Sequence, residues 1–112
     1  MYTIDKLKEF GADTAEGLAR CMNNEEFYLR MVDMGIADER FDSLADVLAS
    51  KDYDKAFEIA HALKGVLGNL SLTPIFDPMS EMTELLRART DMDYTELVNK
   101  VVDERNRLLS LK

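Results

Sequence analysis

Proline, glycine, cysteine and histidine are all scarce in this chain. Among 112 residues there are two prolines, five glycines, one cysteine, one histidine and no tryptophan. Most of these shortages exclude something. A lone cysteine, Cys21, has no partner for an intramolecular disulfide, which points to a reduced, cytoplasmic setting and a buried, inert thiol. A lone histidine, His61, excludes any metal centre built on paired histidines, and no cofactor or metal is expected in the chain itself. The glycines (Gly11, Gly17, Gly35, Gly65 and Gly68) form neither a phosphate-cradling loop nor a dinucleotide fingerprint, both of which also need a strand before the helix. The chain therefore shows no nucleotide site and is not expected to be an enzyme that takes phosphoryl groups from ATP. No apolar run approaches the ~20 residues of a membrane-spanning helix, and Met1-Tyr2-Thr3-Ile4-Asp5-Lys6 lacks the apolar stretch of a signal peptide. Positive charge is short as well. Fourteen basic residues face 22 acidic ones, a formal net charge of −8, and such a surface repels nucleic-acid phosphates and anionic lipid. Nucleic acid and membrane are not expected partners.

What is present reads as helix throughout, with no sustained two-residue alternation to suggest a strand. Ile4, Leu7 and Phe10 make a short amphipathic piece stopped by Gly11. Asp13 and Glu16 have capping-box spacing and open a second short helix through Leu18 and Cys21. Asn23-Asn24-Glu25-Glu26 restarts the chain with acids in the first turn. Phe27, Met31, Met34, Phe41, Leu44 and Leu48 then predict one long helix from about Glu25 to Ser50, bent near Gly35, with two separate helices as the alternative. Asp52 caps a helix running from about Tyr53 to Leu70 or Ser71. The helix carrying Met79, Met82, Leu85 and Leu86 starts either at Thr73-Pro74, as a cap with proline at the first position, or at Asp77-Pro78. Asp93 and Glu96 repeat the capping-box spacing and open a last helix with Leu97, Val101, Leu108 and Leu111. Short connections favour antiparallel neighbours. The expected architecture is all-α: one domain over residues 1–112, an antiparallel up-down four-helix bundle with two short N-terminal helices packed on it.

The helix around His61 carries the chemistry. At about 100° per residue, Ala56, Ile59, Ala60, Leu63, Val66, Leu67 and Leu70 fall in a sector roughly 120° wide that must face the core. His61, Gly65 and Gly68 lie away from it, with Phe57 and Lys64 on the border. A helix-interior glycine costs about 1 kcal/mol relative to alanine, so something other than local stability retains these two. Lying opposite the apolar sector, they are poorly explained by internal packing and better explained as room for a bulky partner. Histidine titrates ordinarily near pH ~6.5, and a neutral imidazole has one nitrogen lone pair free to act as a nucleophile on phosphorus. Lys64, one turn on, can offer its ammonium to phosphoryl oxygens, or it is simply a border lysine with a buried stem. Glu58 and His61 match the Glu-x-x-His spacing of di-iron bundles, but those sites need a second copy and face inward. The methionines sit mostly at core spacing and serve as filler.

Ala60, His61, Leu63, Lys64, Gly65, Gly68, Asn69 and Leu70 resemble the signature of histidine-containing phosphotransfer domains of the stand-alone bacterial type. Ser71 departs from the glycine common there, and Val66 and Leu67 exceed the small residues often found. The resemblance extends over nearly the whole chain and implies a phosphorelay intermediate. His61 would accept a phosphoryl group from a receiver-domain phosphoaspartate or a donor kinase and pass it to another receiver. Lys64 would stabilise the phosphoryl oxygens, and Phe57, Gly65 and Gly68 would shape the docking patch. The implied partners are response-regulator receiver domains and a hybrid or sensor histidine kinase. The receiver would supply Mg²⁺, and the chain would act as a monomer. The alternative is a non-phosphorylated helical adaptor that docks the same partners through the same face. The group that orients the His61 ring is not legible; Asp38 or another side chain of the preceding long helix is a candidate.

Overall fold

The structure, a computed structural model, describes all 112 residues. Seven helices and no strand make up the chain: α1 Ile4–Phe10, α2 Thr14–Arg20, α3 Glu25–Ile36, α4 Arg40–Ala49, α5 Tyr53–Asn69, α6 Thr73–Arg87 and α7 Thr95–Ser110. The all-helical class is the expected one. Asp13, Asn24 and Asp52 each accept a hydrogen bond from the backbone N–H three residues on, capping α2, α3 and α5. Gly11 ends α1 in the left-handed region at φ 108°, a conformation that glycine enters without steric cost. At α7 the cap lies one residue later than the spacing predicts. Tyr94 is the cap residue, and Asp93 accepts from Thr95 N–H at 2.9 Å.

Three sequence expectations change. The first is the long helix, which is broken into α3 and α4 at Ala37–Glu39, the two-helix alternative, rather than bent at Gly35. Asp38 holds the break by accepting from the Arg40 backbone N–H at 2.9 Å and from its guanidinium. Those bonds keep the Asp38 carboxyl below the usual carboxylate range. Gly35 stays helical and serves packing, since a Cβ there would lie 2.9 Å from Leu70 and 3.2 Å from Val66 on the neighbouring helix. The second is the buried stripe of α3, which is Tyr28, Val32 and Ile36, while Phe27 and Met34 are 44% and 62% exposed. Successive helical residues differ by about 100°, so starting the stripe one residue early turns it out of the core. The third is the cap of α6, a helix that starts at Thr73, one of its two expected starts, and carries Pro78 inside it. Its cap residue is Leu72, without a side-chain cap bond but fully buried, so apolar packing replaces the expected threonine cap.

The helices pack so that α5 lies between α4 and α6, α6 meets α7, and α7 returns to α4. Asp54 at the start of α5 pairs with Arg89 beyond the end of α6 at 2.8 Å, so these two run antiparallel. Arg105 of α7 donates to the Ile36 carbonyl at 2.7 Å and to Asp42 at 3.3 Å, stitching α7 across the α3–α4 break. The N-terminal helices are tied down from both sides. Arg107 donates to the Phe10 carbonyl at 2.8 Å, and the Asp13 N–H donates to the Ser71 carbonyl at 3.0 Å. Tyr2 and Tyr28 anchor this layer, donating to the Leu108 and Leu70 carbonyls at 3.0 and 2.8 Å.

Burial pushes both phenols up to about 12, helped by Asp33 at Tyr2 and by Cys21 and Asp13 at Tyr28. An unfolded tyrosine titrates near pH ~10. The folded pKa lies above the unfolded one, so the contribution is complete below pH ~10 and is lost as pH rises towards ~12. The urea midpoint should therefore fall across that window, and Tyr28→Phe should flatten part of the fall. A midpoint constant from pH ~9 to ~11.5 would show that these phenols ionise without cost to the fold.

Candidate functional site

The buried side of α5 is made by Ala56, Ala60, Leu63 and Leu67, all fully buried, and this fixes what the opposite side presents. His61 is exposed there, with Lys64 and Phe57 half-buried beside it, as the helical spacing predicts. The imidazole stacks on Phe57 with ring centroids 5.5 Å apart and planes 15° from parallel. Two guanidinium groups from the end of α6 lie over the same phenyl ring, Arg87 at 5.0 Å and Arg89 at 5.7 Å from its centroid. Each is anchored by a carboxylate, Arg87 by Glu84 at 2.9 Å and Arg89 by Asp54 at 2.8 Å. The Glu84 carboxyl is held below its ordinary range, first by the Arg87 hydrogen bond and further by the positive charges of Arg87 and Lys64 nearby.

Beyond the imidazole, in the C-terminal direction of α5, opens a polar groove of about 530 Å³. His61, Lys64, Gly65, Gly68 and Asn69 form its floor, Phe76 and Asp77 of α6 one side, and Glu16 and Arg20 of α2 the rim. Arg20 donates to the Gly68 carbonyl and pairs with Glu16. The two glycines differ here. A Cβ at Gly65 would meet nothing within 4 Å, whereas one at Gly68 would come 3.0 Å from the Phe76 ring. Open space accounts for Gly65, and close packing of α5 on α6 accounts for Gly68. The expectation that internal packing explains neither is corrected for Gly68, because α6 crosses nearer to that turn than the apolar sector of α5 alone indicates.

The structure thus gathers His61, Lys64, Gly65 and Gly68 on one groove and places Phe57 against the imidazole on its other side. It leaves Asp38 at the α3–α4 break, committed to Arg40. Sequence reasoning missed Arg20, Glu84, Arg87 and Arg89. The i,i+3 spacing of Glu84 and Arg87 was a visible signal for their pairing, but nothing in one sequence places either beside α5. No group of three or more His, Cys, Asp or Glu side chains is disposed to hold a metal ion.

Comparison with protein families matches the Hpt domain to residues 36–110. The chain belongs to the Hpt family. Hpt domains carry histidine phosphotransfer in phosphorelay signalling, working with receiver domains and histidine kinases. They are carriers rather than enzymes with a catalytic site of their own. Comparison with curated proteins and with solved structures finds no match. In this Hpt chain the matched residues begin at the last residue of α3, so the groove rim supplied by α2 lies outside them. No helix is long and apolar enough to cross a membrane. Ser71, the position where the family commonly has glycine, adopts φ 55° all the same. It is buried, and its hydroxyl has no hydrogen-bond partner in the protein. The tight turn out of α5 is therefore kept, at a cost of about 1–2 kcal/mol for a side chain in the left-handed region.

Proposed function

We propose that His61 is the phospho-acceptor of a phosphorelay carrier, taking a phosphoryl group from a receiver phosphoaspartate or donor kinase and passing it to another receiver. The observation that carries this reading is an exposed imidazole on a rigid helix face, followed one turn on by an opening that no side chain fills. The Nε2 lone pair attacks phosphorus in line. The P–N bond forms as the P–O bond to the aspartyl carboxylate breaks, and the carboxylate leaves with that electron pair. Positioning and charge stabilisation supply most of the rate in such transfers. Lys64 contributes an ammonium to the phosphoryl oxygens, and the receiver contributes Mg²⁺ and the remaining catalytic groups. Gly65 admits the receiver loops, with Phe57 and Gly68 at the edges of the patch. Residues 1–112 act as one unit, because α2 contributes to the same groove that α5 floors, and the reading is of a cytoplasmic monomer.

Gly65→Glu tests the access argument. Like charge set against an acidic partner site costs several kcal/mol, so transfer from a phosphorylated receiver should fall about 100-fold or more. The helix should be at least as stable, since glycine is the poorer helix former. A melting temperature at or above wild type with undiminished transfer would remove Gly65 from the docking face.

A further inference from the structure

Resting on the acceptor role of His61, we infer that Phe57 is a positioning residue that fixes the plane of the imidazole, and that Arg87 and Arg89 hold Phe57 in place. An exposed histidine on a helix ordinarily samples several rotamers, whereas in-line attack needs one orientation of one nitrogen. No hydrogen bond within the chain holds either ring nitrogen of His61; the contact that defines the ring is its face against Phe57, 5.5 Å away and 15° from parallel. Aromatic rings attract in this offset, near-parallel arrangement. Orientation by the face leaves both nitrogens unoccupied, which orientation by a hydrogen bond does not.

A pair of rings one turn apart could serve helix stability alone. Two further contacts argue for a positioned assembly. Arg87 and Arg89 come from a different element, and both lie within cation–π range of the Phe57 ring. Each is itself fixed by a carboxylate, Glu84 for Arg87 and Asp54 for Arg89. The phenyl ring is thus contacted by two guanidinium groups from the end of α6 and by the imidazole of α5, linking the two helices at the reacting group.

The test uses the full chain as wild type, Phe57→Leu and Phe57→Tyr, with folding checked by thermal unfolding. In wild type the His61 ring C–H resonances should lie upfield of free histidine through the ring current of Phe57. They should move to the free position in Phe57→Leu and return in Phe57→Tyr. The maximal rate of transfer from a phosphorylated receiver should fall about 10-fold in Phe57→Leu, by more than any rise in the half-saturating receiver concentration, and recover in Phe57→Tyr. Wild-type resonances at the free-histidine position would overturn the proposal. So would a Phe57→Leu variant with raised half-saturation and an unchanged maximal rate, which is the signature of docking alone. Failure of wild type to accept any phosphoryl group would instead remove the acceptor reading, and the ring resonances would still decide whether the stack exists.

Discussion

Replacing His61 with glutamine is expected to abolish phosphoryl acceptance while leaving the fold intact. The imidazole is exposed, and its chief contact is the half-buried ring of Phe57. Exposed substitutions away from caps and buried networks usually change stability by no more than about 0.5 kcal/mol. Glutamine keeps a polar side chain of similar reach but has no lone pair comparable to the imidazole nitrogen, so no rate remains to be rescued by the surrounding groove. Wild type and variant are incubated side by side with a phosphorylated receiver, and the label is tested for lability in acid and stability in base. Label on the glutamine variant would place the acceptor elsewhere. Absence of label on wild type with any of several receivers would favour an adaptor that docks the same partners without accepting phosphate.

The largest effect on stability is expected in the interior, at Gly17. A Cβ on this residue would lie 2.6 Å from the ring and hydroxyl of Tyr28. Tyr28 is fully buried, and its hydroxyl donates to the Leu70 carbonyl at 2.8 Å, so the ring has no free direction in which to retreat. Gly17→Ala gains about 1 kcal/mol of helix propensity. Against this stand overpacking of about 1–3 kcal/mol and a buried hydroxyl drawn from its acceptor, about 1–3 kcal/mol more. The expected net loss is about 1–5 kcal/mol, and for a domain of this size each kcal/mol lowers Tm by about 4 °C. Thermal unfolding of Gly17→Ala measures this directly. A variant as stable as wild type would mean that Tyr28 finds a second seat, and the double substitution Gly17→Ala with Tyr28→Phe would then show no coupling.

What a single sequence could deliver here divides along physical lines. Asp13, Asn24, Asp52 and Gly11 cap or stop helices through groups a few residues away, so they were readable. The outward position of His61 followed from the spacing of Ala56, Ala60, Leu63 and Leu67 alone. The break at Ala37–Glu39 was not readable as more than an alternative, because it is made by an Asp38–Arg40 bond in a stretch whose helical spacing continues on both sides. Nor was the difference between Gly65 and Gly68, which depends on where Phe76 of another helix lies. The same limit hid Arg20, Arg87 and Arg89, each brought to α5 by packing between elements. Ser71 shows a third case. Met22, Lys51, Ser71 and Arg89 all take φ between 55° and 60° without being glycine, so a reading that waits for glycine to mark such turns passes over them.

The empty space beside Gly65 bears on how this chain would respond to directed evolution. A library screened only for heat resistance would reward alanine at position 65, where the new methyl touches nothing and the helix gains about 1 kcal/mol. It would reject the same change at position 17. Such a screen cannot sense a partner that is not in the tube, so its winners would drift towards a sturdier and less accessible carrier. Pairing the heat step with a phosphotransfer readout is what would keep position 65 a glycine.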